Sequence, residues 1–225
     1  NTPKEVFSHV ETLKKLGLDV PQVTELAYRL RQAGCPVDVH MISEEACVAS
    51  LTKLLSGKTW GIIGLGNIGR RVADIAKAFG CRVIYYSTSG KNSQQGYERV
   101  EFDALLEQSD IVSVHAPLDK NTRGLMNREA FREMKSSAVF LNLGRGPIVV
   151  EQDLADALEA GEIAGAGLDV LSAEPMRKDN PLRKIKDSER LIITPHIGWA
   201  SVEARTRLME IICQQIADFQ NQIIL

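Results

Sequence analysis

A chain of 225 residues can hold one large domain or a medium domain with a companion. Its 44% hydrophobic and 25% charged residues are those of an ordinary globular protein, neither disordered nor fibrous. Lysine and arginine number 27 against 29 acids, a formal net charge of -2, so no basic excess draws the chain to nucleic acid or to an anionic membrane. No run approaches the ~18 apolar residues of a membrane span and no secretory pattern opens the chain, so the expected address is the cytoplasm and the expected partner a small molecule. The cysteines Cys35, Cys47, Cys81 and Cys213 lack any metal-ligand or CxxC spacing. They read as reduced packing residues, and no metal site is expected.

Residues 1–57 carry three helical patterns and no convincing strand. Thr2-Pro3-Lys4-Glu5 is a capping box with proline at the first helical position, and it leads one helix through Val6, Val10, Leu13 and Leu16 to Gly17. A second pattern runs from Pro21 through Val23, Leu26, Ala27 and Leu30 to Gly34, and a third from Ser43 to Leu55. The sequence opens at Asn1 already inside helix-start chemistry, so a longer parent chain is expected. Its histidines, His9 and His40, have no neighbours suited to catalysis.

At the end of this block Ser56-Gly57-Lys58-Thr59 imitates the tail of a triphosphate-binding loop. Such a loop needs a glycine where Thr52 stands, a strand before it and a helix after it. The pattern has helix before and strand after, so Lys58 reads as the polar start of a strand.

From Lys58 onward short apolar runs alternate with helical patterns: TWGII, IGRRVADIAKAFG, RVIYY, DIVSVH, AVFLNLG, EQDLADALEAG, AGAGLDV and LIIT. That alternation predicts a Rossmann-like α/β fold, a doubly wound parallel sheet over residues 58–199, preceded by the all-helical segment 1–57. A final helix is predicted from Ser201, with Glu203 in its first turn, to about Gln220, forming residues 200–225.

Between the first strand and the first helix of this array lies Gly64-Leu65-Gly66-Asn67-Ile68-Gly69. Gly64 suits the tight turn, Gly66 lets backbone approach a pyrophosphate, and Gly69 lets helix and strand pack closely. The pyrophosphate would then rest on the helix N-terminus beside Asn67 and Ile68. An acid about 20 residues on would accept the adenosine ribose hydroxyl. Here the second strand ends in Ser87-Thr88-Ser89-Gly90-Lys91 instead. Ser87, Thr88 and the nearby lysine suit a 2'-phosphate, so the cofactor is expected to be NAD(P) with a lean to NADP; a plain polar loop is the alternative.

Three later strand ends carry reactive side chains. In Asn142-Leu143-Gly144-Arg145-Gly146 the glycines bring backbone close to a cofactor, and Arg145 offers a fork for a carboxylate, or else a surface ion pair. Asp169, in Gly167-Leu168-Asp169-Val170, either bonds a nicotinamide amide or caps a turn. His196, in Thr194-Pro195-His196-Ile197-Gly198, is placed to give a proton to a carbonyl with Glu174 orienting it, or is a structural histidine.

The motifs GIIGLGNIGR, HAPLDKNTRGLMN, LNLGRGPIV, GLDVLSAEP and TPHIGWAS, in that order between about Lys58 and Phe219, resemble the D-isomer-specific 2-hydroxyacid dehydrogenases. The resemblance implies an oxidoreductase that moves hydride between NAD(P)H and C2 of a small 2-oxo or 2-hydroxy acid. Arg145 would hold the substrate, His196 would be the acid/base and Glu174 its partner. Cofactor contacts would come from the glycine loop, His115, Ala116, Pro117, Thr122, Leu143, Gly144, Asp169 and Gly198. A homodimer is implied as well.

Residues 1–57 do not resemble that family's N-terminal substrate half. TPKEVF and GLDVPQVTELAYRLRQAG resemble instead the C-terminal tail of the ATPase subunits of energy-coupling-factor transporters. That implies a fusion with no ATPase activity and, as the weaker expectation, a segment that docks on transporter subunits. The competing expectation for the whole chain is an NAD(P)-binding module with little catalysis, because the substrate cleft of the family lies between two domains.

Overall fold

The computed structural model describes residues 2–32, 37–90, 96–187 and 190–223, with side chains through 219. Gly34, Cys35 and Lys91 lie outside the described residues. The chain divides into two compact units, Asn1–Val112 and Ser113–Leu225.

Among the described residues the first unit opens with helices α1 (Pro3–Ser8), α2 (Val10–Lys15), α3 (Gln22–Gln32) and α4 (Glu44–Leu55). The capping box at Thr2 forms, with the Glu5 N–H donating to the Thr2 hydroxyl and the Thr2 N–H donating to the Glu5 carboxylate at 2.7 Å. The single first helix expected from the pattern is in fact two, broken at His9 (φ -83°, ψ 51°). In one continuous helix Val6 and Val10 would share a face. The break lets Val10 sit inside at 3% exposure while Val6 stays 39% exposed. Ser43 caps α4, and Ala27, Val37, Met41 and Cys47 form a small core with Val23, Leu30, Leu51 and Leu54 around it. His40, expected to lack a suitable neighbour, places Nδ1 2.9 Å from Asp38 Oδ1.

The end of α4 is tied to the first strands of the sheet. The Gly57 N–H donates to the Gly80 carbonyl at 3.0 Å, the Cys81 thiol lies 3.3 Å from the Leu55 carbonyl, and Leu55 packs on a core of Ile62, Leu65, Ala73, Ala76, Val83 and Tyr85. That core lies between strands β1 (Thr59–Ile63) and β2 (Arg82–Tyr86) and helix α5 (Asn67–Ala78). Ala73 and Ala76 are buried because they share one stripe of α5 with Gly69. β1 and β2 pair in parallel from Thr59 opposite Arg82 to Ile63 opposite Tyr86. A two-residue edge strand not expected from the sequence, β3 (Glu98–Arg99), pairs with β2, and α6 (Phe102–Gln108) comes after it.

β4 (Ile111–Val114) carries the chain into the second unit, which holds α7 (Arg128–Glu133), β5 (Val139–Asn142), α8 (Glu151–Ala160), β6 (Gly165–Leu168), β7 (Leu191–Ile193) and α9 (Val202–Ile223). β5, β6 and β7 are parallel neighbours. The strands form a seven-stranded sheet in the order β3-β2-β1-β4-β5-β6-β7, the doubly wound arrangement predicted. Acids in the first turn of α8 and Gly161 in the left-handed conformation after it complement the helix at both ends. Phe131 and Phe140 meet edge-on, 5.4 Å between centroids, in the core of this unit. α9 is exposed along its described length and Cys213 with it, which corrects the expectation that this cysteine packs inside. No helix among the described residues is long and apolar enough to cross a membrane.

A Cβ at Gly69 would stand 2.3 Å from the Gly64 carbonyl oxygen, which is backbone and cannot swing aside. Gly69→Ala should therefore lower stability by roughly 1–3 kcal/mol, the usual cost of overpacking. Thermal unfolding beside wild type measures it, and an unchanged melting temperature would contradict the packing described.

Candidate active site

In the first unit the glycine loop joins β1 to α5. Gly64 takes φ 92°, a conformation that favours glycine, and its N–H donates to the Tyr86 carbonyl at 3.0 Å. Gly69 is required by the close approach to Gly64. Gly66 is different: a Cβ there would meet no heavy atom within 4 Å. Gly66, Asn67 and Ile68 are all exposed, and the first turn of α5 contains no acid. At the end of β2, Ser87 is buried and Thr88 half-buried, and the Gly90 N–H donates to the Ser87 carbonyl at 3.1 Å to form a turn. Arg99 reaches from β3 to that turn, its Nη1 donating to the Gly90 carbonyl at 3.1 Å.

In the second unit the loop after β4 begins with His115, Ala116 and Pro117. Thr122 is fully buried, and its hydroxyl donates to the Pro117 carbonyl at 2.7 Å and accepts from the Asp119 N–H at 2.8 Å. Its hydrogen-bonding capacity is engaged inside the loop, so it shapes the backbone from Pro117 onward. His115 Nε2 lies 3.1 Å from the Ser113 hydroxyl, while its buried Nδ1 has no hydrogen-bond partner. Burial pushes its pKa down to about 4, so the ring is neutral at physiological pH.

The loop after β5 presents Arg145. Leu143 and Arg145 are exposed, Gly144 is buried, and the Arg145 guanidinium donates to the Gly144 carbonyl at 2.8 Å. The loop after β6 presents Asp169, whose Oδ1 accepts from the Thr194 hydroxyl at 2.5 Å and the Ile197 N–H at 2.8 Å, and whose Oδ2 accepts from the Gly198 N–H at 2.8 Å. Burial works to raise the Asp169 pKa, but these three donors outweigh it and the net displacement is downward. Asp169 thus holds the loop that carries His196, which is how the alternative reading of it, as a cap, would have it act.

His196 is the non-glycine residue with positive φ among the described residues, at 54°. That conformation costs of order 1 kcal/mol and is sustained by the bonds on either side of it. Its Nδ1 lies 2.8 Å from Glu174 Oε2, and Glu174 Oε1 accepts the Leu171 N–H at 2.9 Å. The Leu171 N–H and then His196 hold the Glu174 carboxyl below its ordinary range. Asp169, Leu171, Glu174, Thr194 and His196 border a cleft of about 430 Å³. The predicted Glu174–His196 pair is therefore assembled, with Asp169 holding the loop beneath it.

Sequence reasoning gave no role to Asn142. It is fully buried at the end of β5, its Oδ1 accepting from the Gly144 N–H and its Nδ2 donating to the Arg145 carbonyl, each at 3.1 Å. An asparagine between an apolar strand and a Gly-Arg-Gly turn was the available signal.

The chain matches the family model described as "D-isomer specific 2-hydroxyacid dehydrogenase, NAD binding domain" over residues 26–198, so the match begins within α3, inside the segment set apart from the sequence as residues 1–57. It is 46% identical over 168 residues to a hydroxypyruvate reductase of Blautia hydrogenotrophica, covering 73% of this chain and 51% of that one. The chain spans about half the length of the curated relatives it matches first. Among solved structures it resembles an NAD-dependent formate dehydrogenase of Staphylococcus aureus in complex with NAD (30% identity, TM-score 0.67, 75% of this chain and 50% of that one). It also resembles an NADPH-dependent glyoxylate/hydroxypyruvate reductase of Sinorhizobium meliloti (33% identity, TM-score 0.57, 62% and 72%).

His115 yields a pH prediction. The folded ring takes a proton only near pH 4, whereas an unperturbed histidine does so near 6.5, so on acidification the unfolded chain binds the proton first. Stability from this group is complete above pH ~6.5 and is lost by up to about 3 kcal/mol as pH falls to about 4. Denaturant unfolding across that range should show a shallower decline in His115→Gln than in wild type, and parallel curves would refute it.

Proposed function

The chain belongs to the D-isomer-specific 2-hydroxyacid dehydrogenase family, and from that premise we propose that it moves hydride between a nicotinamide cofactor and C2 of a small 2-oxo or 2-hydroxy acid, of the glyoxylate and hydroxypyruvate class. The observation that carries the reading is the Glu174–His196 pair at the rim of its cleft. With Nδ1 engaged by Glu174, Nε2 is the nitrogen left to hold a proton toward the substrate oxygen, and the carboxylate fixes the orientation of the ring. The Arg145 guanidinium would exchange its own loop carbonyl for the substrate carboxylate, a charge-assisted and bidentate partner. Asp169 keeps the histidine loop in place through three hydrogen bonds.

The bound cofactor supplies the hydride. The glycine loop fits a dinucleotide because Gly66 is glycine where the protein's own packing does not demand it, beside an exposed helix N-terminus free of acids. Asn67 and Ile68 would flank the pyrophosphate. His115 to Pro117, Leu143, Gly144 and Gly198 would line the nicotinamide side, with Thr122 supporting from beneath. At the adenosine end the reading leans to NADP: Ser87 stands where an acid would exclude a 2'-phosphate, and the Arg99 guanidinium at the Gly90 carbonyl adds positive charge.

A homodimer is part of the proposal. It is supported by the apolar side chains that α9 exposes, among them Val202, Met209, Ile212, Ile216 and Phe219. A cytoplasmic address is supported by free thiols at Cys47, Cys81 and Cys213.

His196→Ala should lower glyoxylate reduction by at least about 100-fold, the usual contribution of a general acid, and leave the NADPH dissociation constant within about twofold of wild type. Equal loss of both would remove the assignment. In parallel fluorescence titrations NADPH should bind more tightly than NADH, and Arg99→Gln should narrow the difference; tighter NADH binding by wild type would reverse the cofactor lean.

A further inference from the structure

The loop that presents Arg145 has almost no room. A Cβ on Gly144 would lie 3.0 Å from the Ala116 carbonyl oxygen, and one on Gly146 would lie 1.9 Å from the carbonyl carbon and oxygen of Leu171. Backbone thus presses closely on the loop, and as the turn leaves β5 the Leu143 N–H still donates to the Val114 carbonyl at 3.4 Å while Gly144 and Arg145 bond locally. Its inward-facing groups still need partners, since buried N–H and C=O groups are rarely left unpaired.

Asn142 supplies two of them, and the Ile148 N–H adds a second bond to the Arg145 carbonyl at 3.2 Å. Its side-chain carbonyl takes the Gly144 N–H and its side-chain N–H₂ gives to the Arg145 carbonyl, so one buried amide grips the chain just before and at the arginine. Its main-chain carbonyl accepts the Asp169 N–H at 3.0 Å. Asp169 in turn holds Thr194, Ile197 and Gly198 around His196. Gly146 sits against Leu171, whose N–H is held by the carboxylate that contacts His196.

We propose that Asn142 is the positioning residue that sets Arg145 in register with the His196–Glu174 pair, so that one small carboxylate and its adjacent carbonyl meet both at once. The inference rests on the dehydrogenase reading. It assigns Asn142 an action on substrate capture exerted through Arg145, not a contact with substrate or cofactor.

The amide is specifically needed because it donates and accepts at the same time. In Asn142→Asp the shape is kept and the Gly144 N–H still finds an acceptor, but a carboxylate oxygen then faces the Arg145 carbonyl oxygen. Asn142→Leu removes both partners.

Two measurements on the full chain decide the matter. In steady-state glyoxylate reduction, Asn142→Asp should raise KM at least tenfold while kcat falls less than threefold, the acid limb of the pH profile stays in place and NADPH binding changes less than twofold. Arg145→Lys should shift the same constant, KM. A fall in kcat with KM unchanged, or an equal loss of NADPH binding, would overturn the proposal. In hydrogen–deuterium exchange, Asn142→Asp and Asn142→Leu should both speed exchange in peptides spanning residues 141–149 and 193–199 and leave a peptide spanning 59–72 as in wild type. Unchanged exchange in 141–149 would overturn the clamp even where kinetics cannot be read. Absence of glyoxylate turnover by wild type, with the exchange result as expected, would remove the dehydrogenase reading and with it the assigned action on substrate, leaving Asn142 a purely structural clamp.

Discussion

The Asp169 carboxylate is the interaction on which the reactive end of the second unit depends. A loop leaving a parallel strand carries backbone N–H groups that the sheet no longer pairs, and β7 runs only from Leu191 to Ile193 before it ends. Asp169 collects the Ile197 and Gly198 N–H groups and the Thr194 hydroxyl from that loop. An ionised carboxylate offers about four acceptor sites, so it can serve several donors at once, and hydrogen bonds to a charged acceptor are stronger than neutral ones. Those bonds sustain His196 at a backbone angle it would otherwise avoid. Glu174 then needs only to meet one ring nitrogen.

The same solution recurs at the neighbouring strand ends. Asn142 satisfies the turn after β5, and Thr122 satisfies the loop after β4. In each case a buried short polar side chain bonds backbone groups of the loop that follows a strand. Arg145, Asp169 and His196 come after β5, β6 and β7, three neighbouring parallel strands, so the sheet delivers them to one edge. Parallel strands make this arrangement natural because all of them end in the same direction.

The first unit works by close approach. Gly69 touches the carbonyl of Gly64, so α5 can lie against β1, and the turn opens with a glycine in the left-handed region. Gly66 is the informative member, since no neighbouring protein atom accounts for it. The helices that precede β1 have their own small core yet join the sheet layer through Leu55, Gly57 and Cys81. The family match beginning at residue 26 runs through that joint.

Much of this was legible in the sequence because it depends on local rules. The strands TWGII and RVIYY, the glycine turn, the capping box at Thr2 and the order of the motifs all come from short-range pattern and backbone preference. The Glu174–His196 pairing was read from the strand-end motifs and implied again by the resemblance, and its 2.8 Å separation emerges only once β6 and β7 lie side by side. Other features were settled by packing that no local pattern records. The break at His9 turns Val10 inward and leaves Val6 outside, the exposure of α9 leaves Cys213 on the surface, and β3 is a strand only because β2 lies beside it. Asn142 makes the same point at the site. Composition and spacing named the residues able to do chemistry, whereas the burial that turns an ordinary asparagine into a clamp comes from backbone segments far apart in the chain meeting around it.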